Sequence, residues 1–139
     1  MTSQDKVQFR TTIAPWLSLR GGAQAVEFYK TAFGAAEVFR LESPDGAVVA
    51  RLSIQGAEFW LSDESPEHGN FSPESAHGNS VRMVLTVEDP DAVFAQAVKG
   101  GATAVHPVSE QHGWRVGRLR DPFGHDWEIG REVARGSQT

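Results

Sequence analysis

The stretch DPFGHDWEIG, from Asp121 to Gly130, sets a carboxylate, Glu128, in the middle of a strand launched by a tight turn. Asp121-Pro122-Phe123-Gly124 carries the turn signal, with Pro second and Gly fourth. Along the strand, Trp127 and Ile129 share one face while Asp126, Glu128 and Gly130 share the other. The apolar pair belongs against helices, so Glu128 faces the opposite way, toward a pocket. A carboxylate there can ligate a metal, anchor a polar ligand, tie two strands together, or act as a base with a pKa raised by burial. His112, in SEQHGWR, is a second candidate for proton transfer, although a lone loop histidine is also an ordinary polar residue. His68 and His77 stand nine residues apart in a polar stretch, without the carboxylate spacing that would support a metal pair. No G-x-S-x-G, P-loop or G-x-G-x-x-G is present, so serine hydrolysis, nucleotide hydrolysis and Rossmann chemistry have no support.

Composition narrows the classes further. At 139 residues, 40% hydrophobic and 22% charged, the chain fits one globular domain that needs neither disulfide nor metal for stability. A net charge of −5 without a basic cluster argues against nucleic acid as a partner and is compatible with a cationic ligand. No apolar run reaches membrane-spanning length, and MTSQDKVQFR lacks the apolar region of a signal peptide. The absence of cysteine excludes thiolate nucleophiles and fits a cytoplasmic protein.

The elements that must position these residues come in two rounds. Residues 12–19 alternate as a strand, with Ile13, Leu17 and Leu19 on one face and Pro15 marking an edge. Residues 22–33 carry a helical stripe ended by Gly34. EVFRLES, the turn Pro44-Asp45-Gly46, AVVARLSIQ and AEFWLSD complete the first round. Residues 64–79 read as a long polar loop. The second round starts with SVRMVLTVED, continues with a helix at 90–99 opened by Pro90 and capped by Asp89, and ends in three strands. FYKTAFGAAEV matches FAQAVKGGATAV, and QGAEFWLSD matches PFGHDWEIG, so the chain is a pseudo-twofold repeat of two βαβββ modules. The predicted bounds are 11–63 and 80–131 within one domain at 11–131. Residues 1–10 and 132–139 are expected to be loosely held.

Two βαβββ halves, the FYKTAFGA helix and the closing RDPFGHDWEI resemble the vicinal oxygen chelate superfamily of glyoxalases, bleomycin-resistance proteins and dioxygenases. PWLSL…GGAQAVEFYKTAFGAAEV and WLSDE look most like its small PhnB-like branch. The resemblance implies an α+β fold in which the modules form an incomplete barrel around a cavity, commonly in a homodimer. Metal-dependent members draw ligands from the first and last strand of each half. Fitted to this chain, those four positions fall at Ala14, Trp60, Arg82 and Glu128. Glu128 alone can ligate, and three donors are the usual minimum, so no metal and no other cofactor is expected.

With no metal expected, the same positions describe a binding site. Trp16 and Trp60 fall on matching faces of the outer strands of the first half, with Arg51 nearby, and two indoles suit a flat or aromatic ligand. They could equally fill the cavity or a dimer seam. Arg82 and Glu128 can form an ion pair across the floor of the second half, as a structural tie or as anchors for a polar ligand. Trp114 and Trp127 read as core or seam. The expected function is a metal-free protein that sequesters an organic ligand, aromatic or cationic. The alternatives are a metal-free isomerase or lyase using Glu128 or His112, and a glyoxalase- or dioxygenase-like metalloenzyme.

Overall fold

The computed structural model describes residues 9–134. The first half runs β1 (Trp16–Leu19), α1 (Gly22–Phe33), β2 (Ala36–Glu42), β3 (Val48–Ile54) and β4 (Ala57–Asp63). A connecting segment holds a 3-10 turn (Pro66–His68) and the short helix α2 (Pro73–Ala76). The second half repeats the order as β5 (Met83–Thr86), α3 (Pro90–Lys99), β6 (Thr103–Gln111), β7 (Trp114–Arg120) and β8 (Asp126–Glu132). The strands make two four-stranded sheets, β1-β4-β3-β2 and β5-β8-β7-β6, in which the first and last strand of each half pair in parallel. This is the α+β pair of βαβββ modules expected, and neither sheet closes into a barrel.

The helix caps hold at single-residue detail, and the Pro44-Asp45-Gly46 turn joins β2 to β3 as an antiparallel hairpin, with Gly46 N–H donating to the Ser43 carbonyl at 2.8 Å. Gly34 takes a left-handed conformation (φ 67°) and its N–H caps the end of α1. Asp89 accepts from the Ala92 N–H at 3.1 Å, capping α3 behind Pro90. Two matching hairpins turn at Gln55-Gly56 and His112-Gly113, where both central residues have positive φ, the geometry of a type I′ turn. At Gly113 a side chain is doubly excluded, because an added Cβ would sit 2.5 Å from the Ala134 carbonyl oxygen.

Three expectations are corrected. The first strand starts at Trp16, not residue 12, and Ile13 is 98% exposed rather than packed with Leu17 and Leu19. β1 is an edge strand with one neighbour, and Pro15 has no N–H to extend the ladder; its carbonyl still accepts from Trp60 N at 2.9 Å. The strand expected at 80–89 shrinks to β5, since its partner β8 supplies a parallel ladder only from Trp127 to Gly130. The last strand reaches Glu132, and Val133 and Ala134 both donate to the Gly113 carbonyl, so 132–134 are held. Phe9 and Arg10 are exposed and belong to no helix or strand, and the remainder of the expected loose termini, 1–8 and 135–139, lies outside the described residues.

The core joins the modules. Trp127, from the second sheet, lies among aromatic rings of the first module, with centroids 4.7 Å from Phe33, 5.5 Å from Phe59 and 5.7 Å from Tyr29. Its burial confirms a core role. Beside it Asp121 is a buried carboxylate with four donors. Oδ2 accepts from the Tyr29 hydroxyl and from Trp127 Nε1 at 3.0 Å; Oδ1 accepts from the N–H groups of Phe123 (2.9 Å) and His125 (3.0 Å). Burial first, and the Asp121 charge second, raise the Tyr29 pKa well above 10, so the phenol stays protonated and donates.

Tyr29→Phe removes one donor from this carboxylate and should cost about 1.5–3 kcal/mol, the range for hydrogen bonds to charged groups. Asp121→Ala strands four donors and should cost more. Urea unfolding measures both; a Tyr29→Phe protein as stable as the wild type would show that the bond contributes nothing net.

Candidate ligand-binding faces

Each sheet packs one face on the helices and leaves the other open. Register places four residues side by side across the open face of the first sheet: Trp16 pairs with Trp60, Trp60 with Arg51, and Arg51 with Phe39. The matching row of the second sheet is Val84, Glu128, Arg118 and His106. The two rows are equivalent positions of one repeat, filled with different chemistry.

In the first row the indoles of Trp16 and Trp60 stack on each other, 5.2 Å apart and 5° from parallel. They form one aromatic wall, not two walls with a slot between them. Trp16 donates from Nε1 to Ser62 Oγ at 2.9 Å, and Phe39 meets Trp60 edge-on. The Arg51 guanidinium lies 5.2 Å from the Trp60 ring centroid, a cation–π contact, and pairs with Glu58 at 3.6 Å. Trp16 remains 53% exposed at the sheet edge and offers the accessible ring.

In the second row Arg82 and Glu128 form the expected ion pair, Nε to Oε2 at 2.8 Å, although Arg82 precedes β5 by one residue. The same Oε2 also accepts from Arg118, at 2.9 Å from Nη2 and 3.2 Å from Nε. Arg118 was missed from sequence, yet it mirrors Glu128 about the Asp121–Gly124 turn, and folding the strands back on that turn would have found it. Trp114 is on this open face and 38% exposed, not in the core; with Val84, Val116, Glu128 and Gly130 it lines a concavity of about 250 Å³. His112 does not join the cluster. It occupies the β6–β7 turn beside Trp114, whose partner on β8 is Glu132, four residues beyond Glu128 and about 13 Å away along an extended strand.

The metal positions need a corrected register. Ala14 precedes the first strand, and Trp16 is the residue that faces Trp60; likewise Val84, not Arg82, faces Glu128. The conclusion about donors is unchanged, because Trp16, Trp60 and Val84 supply none. Among the described residues no three of His, Cys, Asp and Glu are grouped to hold a metal, and two guanidiniums already occupy Glu128. This donor set does not fit a divalent cation.

The segment expected as a 64–79 loop is organised by Glu64. Oε1 accepts from the Ser72 N–H at 2.8 Å, while Oε2 accepts from Ser75 Oγ (3.1 Å) and Arg20 Nε (3.1 Å). The segment walls a second concavity of about 400 Å³ against Trp16, through Phe71, Pro73 and Asn79. His68 bonds Ser65 Oγ and His77 ends α2 in a left-handed conformation, so neither meets a metal partner. His125 bonds the Ser18 carbonyl across the modules at 2.9 Å. A further concavity of about 360 Å³ lies at the seam of the sheets, between Glu58 and Phe59 on one side and Arg82 and Val84 on the other.

Two βαβββ modules with open inner faces define the glyoxalase/bleomycin-resistance/dioxygenase class of proteins. The chain belongs to the glyoxalase-like domain family, whose profile matches residues 17–130. It is 37% identical over 132 residues to the uncharacterized protein Rv0887c of Mycobacterium tuberculosis, covering 91% of this chain and 78% of the relative. The solved structure of the Arabidopsis thaliana At5g48480 product superposes with a TM-score of 0.65 at 30% identity, covering 88% of this chain and 98% of the other. TioX from Micromonospora shares the fold at a TM-score of 0.67 and 23% identity, with 91% and 100% covered. Among the described residues no helix is long and apolar enough to cross a membrane.

Hydrogen bonds from the Ser72 amide, then from Ser75, lower the Glu64 pKa from 4.5 to about 2. A carboxylate depressed on folding stabilises fully above its unfolded pKa, and that contribution is lost as pH falls through the folded value. The Ser72 amide resonance should therefore titrate with a midpoint near 2 and leave the segment ordered at pH 5. A midpoint near 4.5 would show that Glu64 does not hold the segment.

Proposed function

We propose that this chain is a metal-free small-molecule-binding protein, acting as a homodimer that sequesters an organic ligand between its open sheet faces. The observation that carries the reading is the pair of equivalent rows. One presents an aromatic wall with a guanidinium, the other a carboxylate gripped by two guanidiniums; together they offer stacking and charge, with Glu128 and His106 the two metal-donor side chains of the rows, too few for a metal site. Trp16 and Trp60 act as the stacking surface; Arg51, Arg82 and Glu128 act as polar anchors. The two faces are solvent-exposed in one chain, with Trp16, Leu41 and Val84 uncovered, and a second copy would cover them and enclose the ligand. Kinship with the PhnB-like branch and a cytoplasmic setting belong to the same proposal.

A binder needs no reaction, and the geometry favours that reading over the metal-free isomerase or lyase. Glu128 Oε2 is already paired with two arginines, so the oxygen that would have to meet a substrate proton is occupied. His112, at its hairpin tip, is separated from that carboxylate along the strand.

Native mass spectrometry of the protein from its own organism tests the proposal. A dimer carrying an organic adduct and no metal is the expected result, and the adduct mass would start the ligand search. A dimer with one divalent ion per site would overturn it. Trp60→Ala should weaken binding of an aromatic ligand by about tenfold, from the loss of roughly 1–1.5 kcal/mol of stacking. Unchanged affinity, read by titration calorimetry, would remove the aromatic wall from the site.

A further inference from the structure

We infer that the second sheet's open face recognises a small organic acid: its oxyanion meets Arg82 and Arg118, and its apolar body rests on Val84, Trp114 and Val116. The inference rests on the small-molecule-binding reading and deepens it by assigning the ligand's charge, opposite in sign to that suggested by the chain's overall −5.

Two guanidiniums face one carboxylate, so the Arg82–Glu128–Arg118 cluster carries a net charge of one positive unit. The neighbouring carboxylate does not offset it, because Asp126 is already engaged by Arg120, Nε to Oδ1 at 2.8 Å. All three short contacts to Glu128 converge on the single oxygen Oε2. Each guanidinium carries five N–H donors, so most of the donor capacity of the pair remains for another acceptor. Glu128 holds the two forks together in one place, which lowers the cost of ordering them when an anion arrives. The cluster is also accessible, with Arg82 54% and Arg118 30% exposed.

Beside this charge the surface turns apolar. Val84 is 69% exposed next to Glu128, and the concavity that Val84 and Glu128 share with Trp114 and Val116 holds about 250 Å³, room for a ring-sized body, with Arg118 and Arg82 in the concavities that adjoin it through Val116 and Val84. An apolar shelf adjoining a surplus cation matches an amphiphilic anion. It does not match a polyanion, which the acidic surface of the chain would repel.

Three probes of similar size and different charge decide the matter: phenylphosphonate, benzyl alcohol and benzylamine, titrated calorimetrically into the intact wild-type protein at low salt. Phenylphosphonate should bind about tenfold or more tighter than the other two, the increment of one charge-assisted hydrogen bond. Arg82→Gln and Arg118→Gln should each erase that preference by lowering phenylphosphonate affinity far more than benzyl alcohol affinity, with circular dichroism confirming the fold. Glu128→Gln keeps an amide oxygen that both guanidiniums can still reach, so the forks stay gathered while the competing negative charge is gone, and phenylphosphonate should bind more tightly. Equal binding of the three probes, tightest binding of benzylamine, or weaker phenylphosphonate binding by Glu128→Gln overturns the inference while leaving the small-molecule reading intact. Failure of all three probes to bind also overturns it, and the native adduct mass then judges the broader reading separately.

Discussion

The buried Asp121 carboxylate is the constraint on which the rest of this structure depends. A charge in the interior is tolerable only when its lone pairs are filled, and here a phenol, an indole and two backbone amides fill them. Each donor has a separate structural consequence. The amides of Phe123 and His125 shape the turn, the Trp127 indole fixes the strand that follows, and Tyr29 ties both to the helix of the other module. Removing the charge would therefore loosen the turn, the strand and the module contact together. The same arrangement sets the phase of β8. With Trp127 locked inward, Glu128 must point to the open face, beside Arg118 on the neighbouring strand.

That phase exposes how the two modules have diverged on one backbone. Trp16, Trp60, Arg51 and Phe39 occupy the positions that Val84, Glu128, Arg118 and His106 occupy in the second sheet. An arginine stands at the same place in both rows. In one it lies over an indole, and in the other it grips a carboxylate. The positions beside it are ring faces in the first row and a carboxylate, a valine and an imidazole in the second, so one backbone frame presents an aromatic surface on one side and a charged one on the other. The fold alone could not have decided this, since one scaffold accommodates many chemistries.

The segment between the modules shows how a polar stretch becomes a wall. Ser72 is fully buried although it lies among Pro, Ser, Glu and Asn, because Glu64 collects its amide, the Ser75 hydroxyl and Arg20 at one carboxylate. A single side chain just past the end of β4 thus converts residues 64–79 into an ordered border for the Trp16 concavity.

Much of this was legible in the residues themselves. Both long helices, their caps, the hairpin turns and the two-module repeat follow from local rules of periodicity, Gly and Pro placement and side-chain capping, which act within a few residues. The inward Trp127, the outward Glu128 and the Arg82–Glu128 pair follow from strand parity. What the sequence could not supply were relations across strands and between modules. The edge position that shortens β1, the register that sets Trp16 and Val84 opposite Trp60 and Glu128, the stacking of the two indoles on each other, and the second guanidinium on Glu128 are tertiary facts. So is the role of Asp121, whose partner Tyr29 is 92 residues away. Local propensity determines which elements form and which way their side chains alternate. Only the packed chain decides which of those side chains meet, because meeting depends on register and burial summed over the whole fold.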